Sequence, residues 1–211
     1  MRSHHPSPLV TTLGVTGGIG SGKSTACRFL EDLGARVFYA DAEAKRLMQA
    51  DDALRAAIVA AFGEDTYDAD GTLNRAHLAA IVFSDDEKLQ QLNALVHPRV
   101  FASFKEEVQR AAADGVELLV HEAALIFEAG GDKHLDAVAV VDAPVNVRIR
   151  RVRARDDVSE QEVRARMQHQ LPPEELRQRA DYVLDNSGSP EELRRQVRAL
   201  YARVTGTDAS R

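Results

Sequence analysis

The stretch "TGGIGSGKST", residues 16–25, decides the fold. It places four glycines and a lysine between an apolar run and a helical pattern. Gly17, Gly22, Lys23 and Ser24 match the spacing G-x-x-x-x-G-K-[ST]. Glycines let the backbone curl so that successive N–H groups point at one anion. The stretch therefore predicts a phosphate-binding loop that joins a strand to a helix.

The positions of this loop have separate predicted roles. Lys23 is expected to reach the β- and γ-phosphates of a nucleotide, and the Ser24 hydroxyl is expected to ligate Mg²⁺. The helix that follows directs its positive end at the same point. ATP and Mg²⁺ are therefore the predicted cofactors. The predicted nucleotide-binding residues of the loop are Gly17, Gly18, Ile19, Gly20, Ser21, Gly22, Lys23, Ser24 and Thr25.

Short apolar runs on either side of the loop indicate buried strands. Most are continuous in Val, Leu and Ala, which is typical of parallel strands covered on both faces, and helical patterns lie between them. The sequence predicts an α/β fold with a P-loop NTPase-type three-layer core, a five-stranded parallel sheet, an inserted helical substrate domain and a helical lid. The five predicted strands are Leu9–Val15, Ala35–Tyr39, Val116–His121, Ala137–Val141 and Tyr182–Leu184.

The spacing of the strands predicts the domain organisation. The interval between the second and third strands is too long for one crossover helix, which indicates an inserted subdomain. A helical segment very rich in arginine follows the fourth strand and is predicted to be a lid. The predicted parts are a disordered tail (1–8), a nucleotide-binding core (9–41, 116–144 and 181–206), a helical acceptor subdomain (42–115) and the lid (145–180).

Composition narrows the possible partners. The chain has 211 residues and a formal net charge of -6, which argues against a general nucleic-acid binder. Its single cysteine, Cys27, cannot form an intramolecular disulfide and fits a reducing compartment. We find neither the apolar core of a signal peptide nor an apolar run long enough for a membrane span. The expectation is a cytoplasmic protein without nucleic-acid or membrane partners, as a monomer or weak homo-oligomer.

Asp41 is the first candidate outside the loop. It follows the second predicted strand, and open parallel sheets bind ligands at the carboxyl edge of their strands. A carboxylate there can align an acceptor hydroxyl and take its proton. The alternative is that Asp41 only caps the helix that follows.

The arginine run "VNVRIRRVRARDD", residues 145–157, is the second candidate. On a helix, Arg148, Arg151 and Arg155 share one face. The planar guanidinium suits phosphate, and an arginine from the same chain can neutralise charge on a transferring phosphoryl group. Arg151 is the preferred residue for this role and Arg155 the second choice. The alternative is a salt-bridged surface helix.

The class of nucleotide protein follows from these features. The guanine-recognition motif N-K-x-D does not occur, so a GTPase switch is disfavoured. A small phosphotransferase, with ATP on the loop and an acceptor on the insert, fits the layout. A nucleoside or nucleotide kinase is an alternative within the enzymes. A non-catalytic nucleotide-dependent binding protein is an alternative from another class, and it would need the loop but not Asp41.

Several downstream motifs carry a resemblance to a known family. After the loop, the Asp41 turn and the arginine run, the ordered set of motifs resembles the dephospho-CoA kinase family from about Leu9 to Val204. The motifs are "DGTLNR" (70–75), "LVHP" (95–98), "LIFE" (125–128), "RMQHQ" (166–170) and "ADYVLDNSG" (180–188).

The resemblance implies an activity and assigns residues. The activity is phosphoryl transfer from ATP to the ribose 3'-hydroxyl of dephospho-CoA, giving CoA and ADP in the last step of CoA biosynthesis. The implied architecture is a core, a helical CoA-binding domain and a lid. The implied catalytic residues are Asp41 as base, Arg151, Lys23 and Thr16; the implied acceptor-side residues are Arg75, His97 and Glu128; and Asn186 is implied to lie near the adenine of ATP.

Two departures from the family pattern stand beside the resemblance. Tyr39 occupies a position where the family often has an aspartate, and Ala124 one where it often has a proline. Simpler roles remain open for five residues. The His97–Pro98 pair is also compatible with a helix start, Arg75 with a surface charge, and Glu128 with a helix-end charge. Glu122 is compatible with a metal-proximal or a structural role.

Overall fold

The computed structural model describes residues 10–82 and 85–207. The predicted tail, residues 1–8, lies outside the described residues. The chain forms two compact units, which divide between Phe38 and Tyr39 and between Glu107 and Val108. The second unit is Tyr39–Glu107, so its bounds differ from the predicted insert 42–115. Residues 108–115 and the arginine-rich segment 145–180 both belong to the first unit.

The first unit contains a five-stranded sheet with the order β2-β3-β1-β4-β5. β1 is parallel to both β3 and β4, and β4 is parallel to β5. This confirms the predicted α/β fold with a five-stranded parallel sheet. The strands are β1 Thr11–Thr16, β2 Arg36–Tyr39, β3 Leu118–Glu122, β4 Ala137–Asp142 and β5 Tyr182–Asp185.

Four of these strands end one residue later than the apolar runs predict. The additional residues are polar, and backbone pairing continues through them. Val15 pairs with Glu122, and Asp142 pairs with Asp185. Apolar runs therefore locate each strand but not its last residue, because backbone pairing continues into polar residues at the carboxyl edge, and two of these, Thr16 and Glu122, are themselves buried. The additional residues are Thr16, Glu122, Asp142 and Asp185.

Nine α-helices occur within residues 10–82 and 85–207, together with 3₁₀ turns at Glu64–Thr66 and Gly131–His134. α1 packs on the core through its buried face of Ala26, Cys27 and Leu30. The helices are α1 Lys23–Glu31, α2 Ala40–Ala50, α3 Asp52–Phe62, α4 Arg75–Val82, α5 Asp86–Ala113, α6 Val145–Asp156, α7 Glu160–Gln168, α8 Pro173–Arg179 and α9 Pro190–Thr205.

The last helix shows how local sequence fixes an element. α9 begins at Pro190 with Ser189 as its N-cap. Ser189 and Glu192 form a reciprocal capping box, which satisfies two N–H groups at the helix start. One face of the helix buries Leu193, Val197 and Leu200. Capping and apolar spacing therefore agree on where this helix starts and which face it buries.

The second unit is helical, and the interpretation of its His97–Pro98 pair as a helix start is wrong. Pro98 lies inside the 28-residue helix α5 and not at its start. A proline inside a helix removes one hydrogen bond and crowds the preceding turn. The helix continues because Val96, Val100 and Phe104 recur every four residues and are all buried. The His97–Pro98 pair therefore does not mark a helix start.

Among the helices of the described ranges, none has the length and apolar character needed to cross a lipid bilayer.

Candidate nucleotide-binding site

The loop between β1 and α1 depends on its glycines for both conformation and packing. Gly17, Gly20 and Gly22 have φ values of 144°, 78° and 105°, which side-chain-bearing residues rarely adopt. A Cβ on Gly17 would lie 2.2 Å from the Val141 carbonyl oxygen, and one on Gly22 would lie 2.1 Å from Asn186 Nδ2. The loop is therefore tightly packed, and no residue other than glycine fits at these three positions.

The start of α1 presents the donors that the sequence predicts. Gly22 is the N-cap and has no side chain to block the first N–H groups of the helix. Lys23 Nζ donates to the Gly17 carbonyl at 3.0 Å and so spans the loop. The buried hydroxyls of Thr16 and Ser21 have no hydrogen-bond partner within the described part of the chain. Buried polar groups are normally paired, so these two hydroxyls mark the loop as a site for a polar ligand.

Two arginines of α6 contact the loop. Arg148 is 4% exposed, and its Nε donates to the Ile19 carbonyl at 2.9 Å. A Cβ on Gly18 would lie 2.0 Å from Arg148 Nη2, so the guanidinium lies against the loop backbone. Burial lowers the pKa of Arg148, but an arginine keeps its charge at neutral pH.

Arg151 is the second of the two. It donates to the Ser21 carbonyl at 3.3 Å and to the Asn186 carbonyl at 3.1 Å. Arg155, the second choice from the sequence, is exposed and pairs with the adjacent Asp156 at 2.6 Å. The structure thus brings Arg148 to the loop in place of Arg155. The shared helix face indicated Arg148, but the position of the loop along α6 is a tertiary feature that spacing does not give.

Asn186, which directly follows β5, contacts the loop. Its Nδ2 donates to the Ser21 carbonyl at 2.6 Å, and its own amide donates to the Asp142 carbonyl at 2.7 Å. The side chain is buried, so this donor is committed to the loop. Asn186 therefore holds the Ser21 carbonyl, and its position near the adenine of ATP, which the resemblance implies, stays a prediction.

Glu128 connects two segments of the first unit. Its Oε1 accepts a hydrogen bond from the Leu171 amide at 2.9 Å. It follows β3 and lies outside all the helices described above, so the reading of Glu128 as a helix-end charge is wrong. The carboxylate is exposed, which leaves its second oxygen accessible to an acceptor molecule.

The carboxyl end of β3 carries two buried ionisable residues. His121 is 5% exposed and stacks on Phe38 with 5.4 Å between the ring centroids. Burial lowers the pKa of His121 to about 4, so the ring is neutral at pH 7. Glu122 is 7% exposed and ends the strand. Burial, followed by the charge of Glu122, raises the pKa of the Cys27 thiol on α1.

Asp41 lies in the first turn of α2 in the second unit and is exposed. The N-cap of this helix is Tyr39, whose side chain makes no capping hydrogen bond. The alternative in which Asp41 caps α2 is therefore wrong. A carboxylate in the first turn is nevertheless stabilised by the positive end of the helix.

The other two predicted acceptor residues also lie in the second unit. Arg75 is the first residue of α4 and is exposed. The preceding Asn74 accepts a hydrogen bond from the His77 amide at 3.0 Å and so fixes the start of this helix. His97 is half-buried within α5, and burial lowers its pKa, which favours a neutral imidazole.

The donor set near the loop fits a hard cation that is bound mainly through phosphate. Across residues 10–82 and 85–207, no three His, Cys, Asp or Glu side chains come together as a metal site. Mg²⁺ does not need such a cage, because it keeps waters and takes substrate phosphates with one or two protein oxygens. Ser24 offers an exposed hydroxyl in the first turn of α1, which fits that pattern.

The fold and the site first define a class. A glycine loop between a parallel strand and a helix, held by arginines of a distant helix, is the nucleotide site of a P-loop kinase. A shikimate kinase from Acinetobacter baumannii has a similar fold, with a TM-score of 0.50 at 16% identity over 95% of this chain and 96% of that one.

The comparisons then identify the family. The sequence profile of the dephospho-CoA kinases matches residues 11–192. A dephospho-CoA kinase of Salinibacter ruber is 61% identical and covers 93% of this chain and 99% of its own length. One from Chlorobaculum tepidum is 48% identical, covering 92% and 94%. The solved structure of a Campylobacter jejuni dephospho-CoA kinase has a TM-score of 0.69 at 26% identity, covering 93% of this chain and 98% of that one. The chain belongs to the dephospho-CoA kinase family.

Proposed function

We propose that this protein transfers the γ-phosphoryl group of ATP to the ribose 3'-hydroxyl of dephospho-CoA, giving CoA and ADP. The observation that carries the proposal is the phosphate loop, held by Arg148 and Arg151, in a chain of the dephospho-CoA kinase family. Phosphoryl transfer depends mainly on positioning and on stabilising charge, and this loop offers both.

On the nucleotide side, the loop amides and Lys23 bind the phosphates of ATP. Lys23 exchanges its 3.0 Å contact with the Gly17 carbonyl for a phosphate oxygen. Ser24 would hold Mg²⁺, and the bound ion would neutralise part of the phosphate charge. Arg151 gives up one of its two hydrogen bonds to backbone carbonyls and donates that N–H to the transferring phosphoryl group, whose charge it stabilises. The unpaired hydroxyl of Thr16 donates to the same group.

On the acceptor side, the exposed carboxylate of Asp41 takes the proton of the 3'-hydroxyl. The hydroxyl oxygen forms a bond to the γ-phosphorus, the bond from that phosphorus to the β–γ bridging oxygen breaks, and ADP leaves. Arg75 complements the diphosphate of dephospho-CoA, while the neutral His97 and Glu128 offer hydrogen bonds to the acceptor. The turn at Tyr39–Asp41 carries one carboxylate, that of Asp41, which serves as the base.

The proposal places the reaction in the cytoplasm, which the single buried thiol supports. Both substrates are small molecules, so the reaction as written requires no nucleic acid, membrane or second subunit.

A panel of acceptors tests the proposal. The protein is incubated with ATP, Mg²⁺ and either dephospho-CoA, adenosine or AMP, and ADP release is measured together with the mass of the product. We expect turnover with dephospho-CoA and a product that a 3'-nucleotidase converts back to dephospho-CoA. Turnover of adenosine or AMP, with dephospho-CoA at background, would replace this proposal by the nucleoside or nucleotide kinase.

A further inference from the structure

The arginine-rich segment 145–180 contacts three parts of Ile19: the side chain, the backbone carbonyl and the backbone amide. Its side chain packs against the buried cluster of Ile149, Val152 and Val163. Its carbonyl accepts the hydrogen bond of Arg148, and its amide donates to Gln170 Oε1 at 2.7 Å. Ile19 itself lies in the loop between β1 and α1.

Gln170 also contacts the core at a second place. It follows α7 in the segment that leads to α8, and its Nε2 donates to the Ala124 carbonyl at 3.5 Å. The next amide, that of Leu171, donates to Glu128 at 2.9 Å. This short segment therefore joins the loop after β1 to the turn after β3. The carboxamide is half-buried, whereas the nearby Gln168 is exposed.

We propose that Gln170 is a positioning residue for phosphoryl transfer, which sets the shape of the phosphate loop by holding the Ile19 amide. The proposal rests on the proposed kinase function. The bond between Gln170 and Ile19 keeps the Ile19 amide turned to the 145–180 segment, so that the amides of the following loop residues keep their orientation toward the phosphates. The loop therefore has its working shape only while the segment after α7 is seated on it.

The test uses Gln170→Met, which keeps the length of the side chain and removes its hydrogen bonds. Gln168→Met is the matched control. The first readout is hydrogen exchange of the isoleucine amides in full-length protein labelled with ¹⁵N-isoleucine, because the chain has only five isoleucines. In Gln170→Met we expect the Ile19 amide to exchange about tenfold faster or more, whereas Ile58, buried in α3 of the second unit, keeps its rate.

The second readout is steady-state kinetics with ATP and dephospho-CoA. A misplaced loop lowers kcat by about ten- to a hundredfold and leaves the KM for dephospho-CoA within about threefold, because positioning acts on the transition state. Gln168→Met keeps the wild-type kcat. A loss of thermal stability in Gln170→Met without a change in kcat or in Ile19 exchange would show a merely structural role and overturn the proposal.

Gln170→Glu provides a second test in case the Gln170→Met variant does not fold. The carboxylate keeps the acceptor for the Ile19 amide, so we expect Ile19 to stay protected from exchange. An unprotected Ile19 amide in this variant, or in the wild-type protein, would refute the contact. The exchange readout needs no substrate. A wild-type protein without activity toward dephospho-CoA would therefore refute the proposed function, while the role of Gln170 in the loop is judged separately.

Discussion

Two strand-to-helix turns of this protein use opposite designs. Between β1 and α1, the chain makes a glycine loop whose carbonyls are held by Lys23, Arg148, Arg151 and Asn186. Between β2 and α2 there is no loop: the strand ends at Tyr39 and the helix begins at the next residue. In the first turn, side chains hold the loop backbone in one conformation. The second turn presents one exposed carboxylate, that of Asp41.

The difference follows from what each turn would bind. Charge on a transferring phosphoryl group is stabilised best by donors that are fixed beforehand, so the first turn is rigid and its hydrogen bonds are made in advance. A general base must meet a hydroxyl that arrives with the substrate, so its carboxylate has to be accessible. The two turns are therefore expected to fail in different ways when they are mutated.

Asp41→Asn should have the largest effect. The amide keeps the size of the side chain but cannot accept the hydroxyl proton, so transfer should fall by about 10²–10⁴-fold. ATP binding should remain, because the phosphate loop is unchanged. Isothermal titration with ATP and a turnover assay measure the two effects. Full activity in this variant would remove Asp41 from the mechanism and favour a different base.

Lys23→Ala should be nearly as severe but should act on both quantities. The loop loses its charged donor to the phosphates, so kcat/KM should fall by about 10²–10³-fold and ATP affinity should fall with it. The same titration and assay apply. Unchanged ATP binding in Lys23→Ala would contradict the assignment of the loop and the contrast between the two turns.

Gly22→Ala should have an intermediate effect. A Cβ would displace the Asn186 side chain and force an alanine into a left-handed conformation, which costs about 1–2 kcal/mol from the backbone alone. We expect nucleotide affinity to fall by about tenfold or more, since about 1.4 kcal/mol corresponds to tenfold. Gly115→Ala is the control, because Gly115 also has a positive φ but no atom within 4 Å of the added Cβ. Equal nucleotide affinity in the two variants would separate the loop glycine from binding.

His121→Phe should have the smallest effect on activity and a clear effect on pH dependence. His121 lies on β3, between the strands that lead into the two turns. Burial lowers the pKa of His121 from 6.5 to about 4, so the unfolded chain binds more protons between these pH values. The wild-type free energy of unfolding therefore falls as the pH drops below 6.5.

At pH 5, His121 should account for about 2 kcal/mol of this loss relative to pH 7, because one pKa unit corresponds to about 1.4 kcal/mol. Phenylalanine keeps the ring against Phe38 and does not titrate. Urea unfolding from pH 7 to pH 4.5 should give a flatter profile for His121→Phe than for wild type or for the exposed control His169→Gln. An unchanged slope would mean that other groups carry the acid sensitivity.

The sequence predicted those parts of the molecule that depend on local chemistry. The loop pattern specified the turn between β1 and α1. Apolar runs located all five strands but stopped short of Thr16 and Glu122, because these two residues are polar although they are buried and continue the backbone pairing.

What the sequence did not predict depends on distant contacts. Pro98 suggested a helix start, but the buried residues on either side of it keep α5 continuous. The three arginines on one face of α6 were equivalent by spacing, and only the packing of α6 on the loop selects Arg148 and Arg151. Asn186 lies 165 residues along the chain from Ser21, and Gln170 lies 151 residues from Ile19, so no local sequence pattern could predict these two contacts with the loop.

The buried position of Cys27 has a consequence for redox chemistry. The proposed substrate and product both end in a thiol, and their disulfides can exchange with protein thiols when a thiolate is accessible. Cys27 is the only cysteine of the chain, is fully buried, and has a raised pKa. The protein therefore offers no reactive sulfur to the oxidised form of its own product, and oxidative stress should not attach coenzyme A to it as a mixed disulfide.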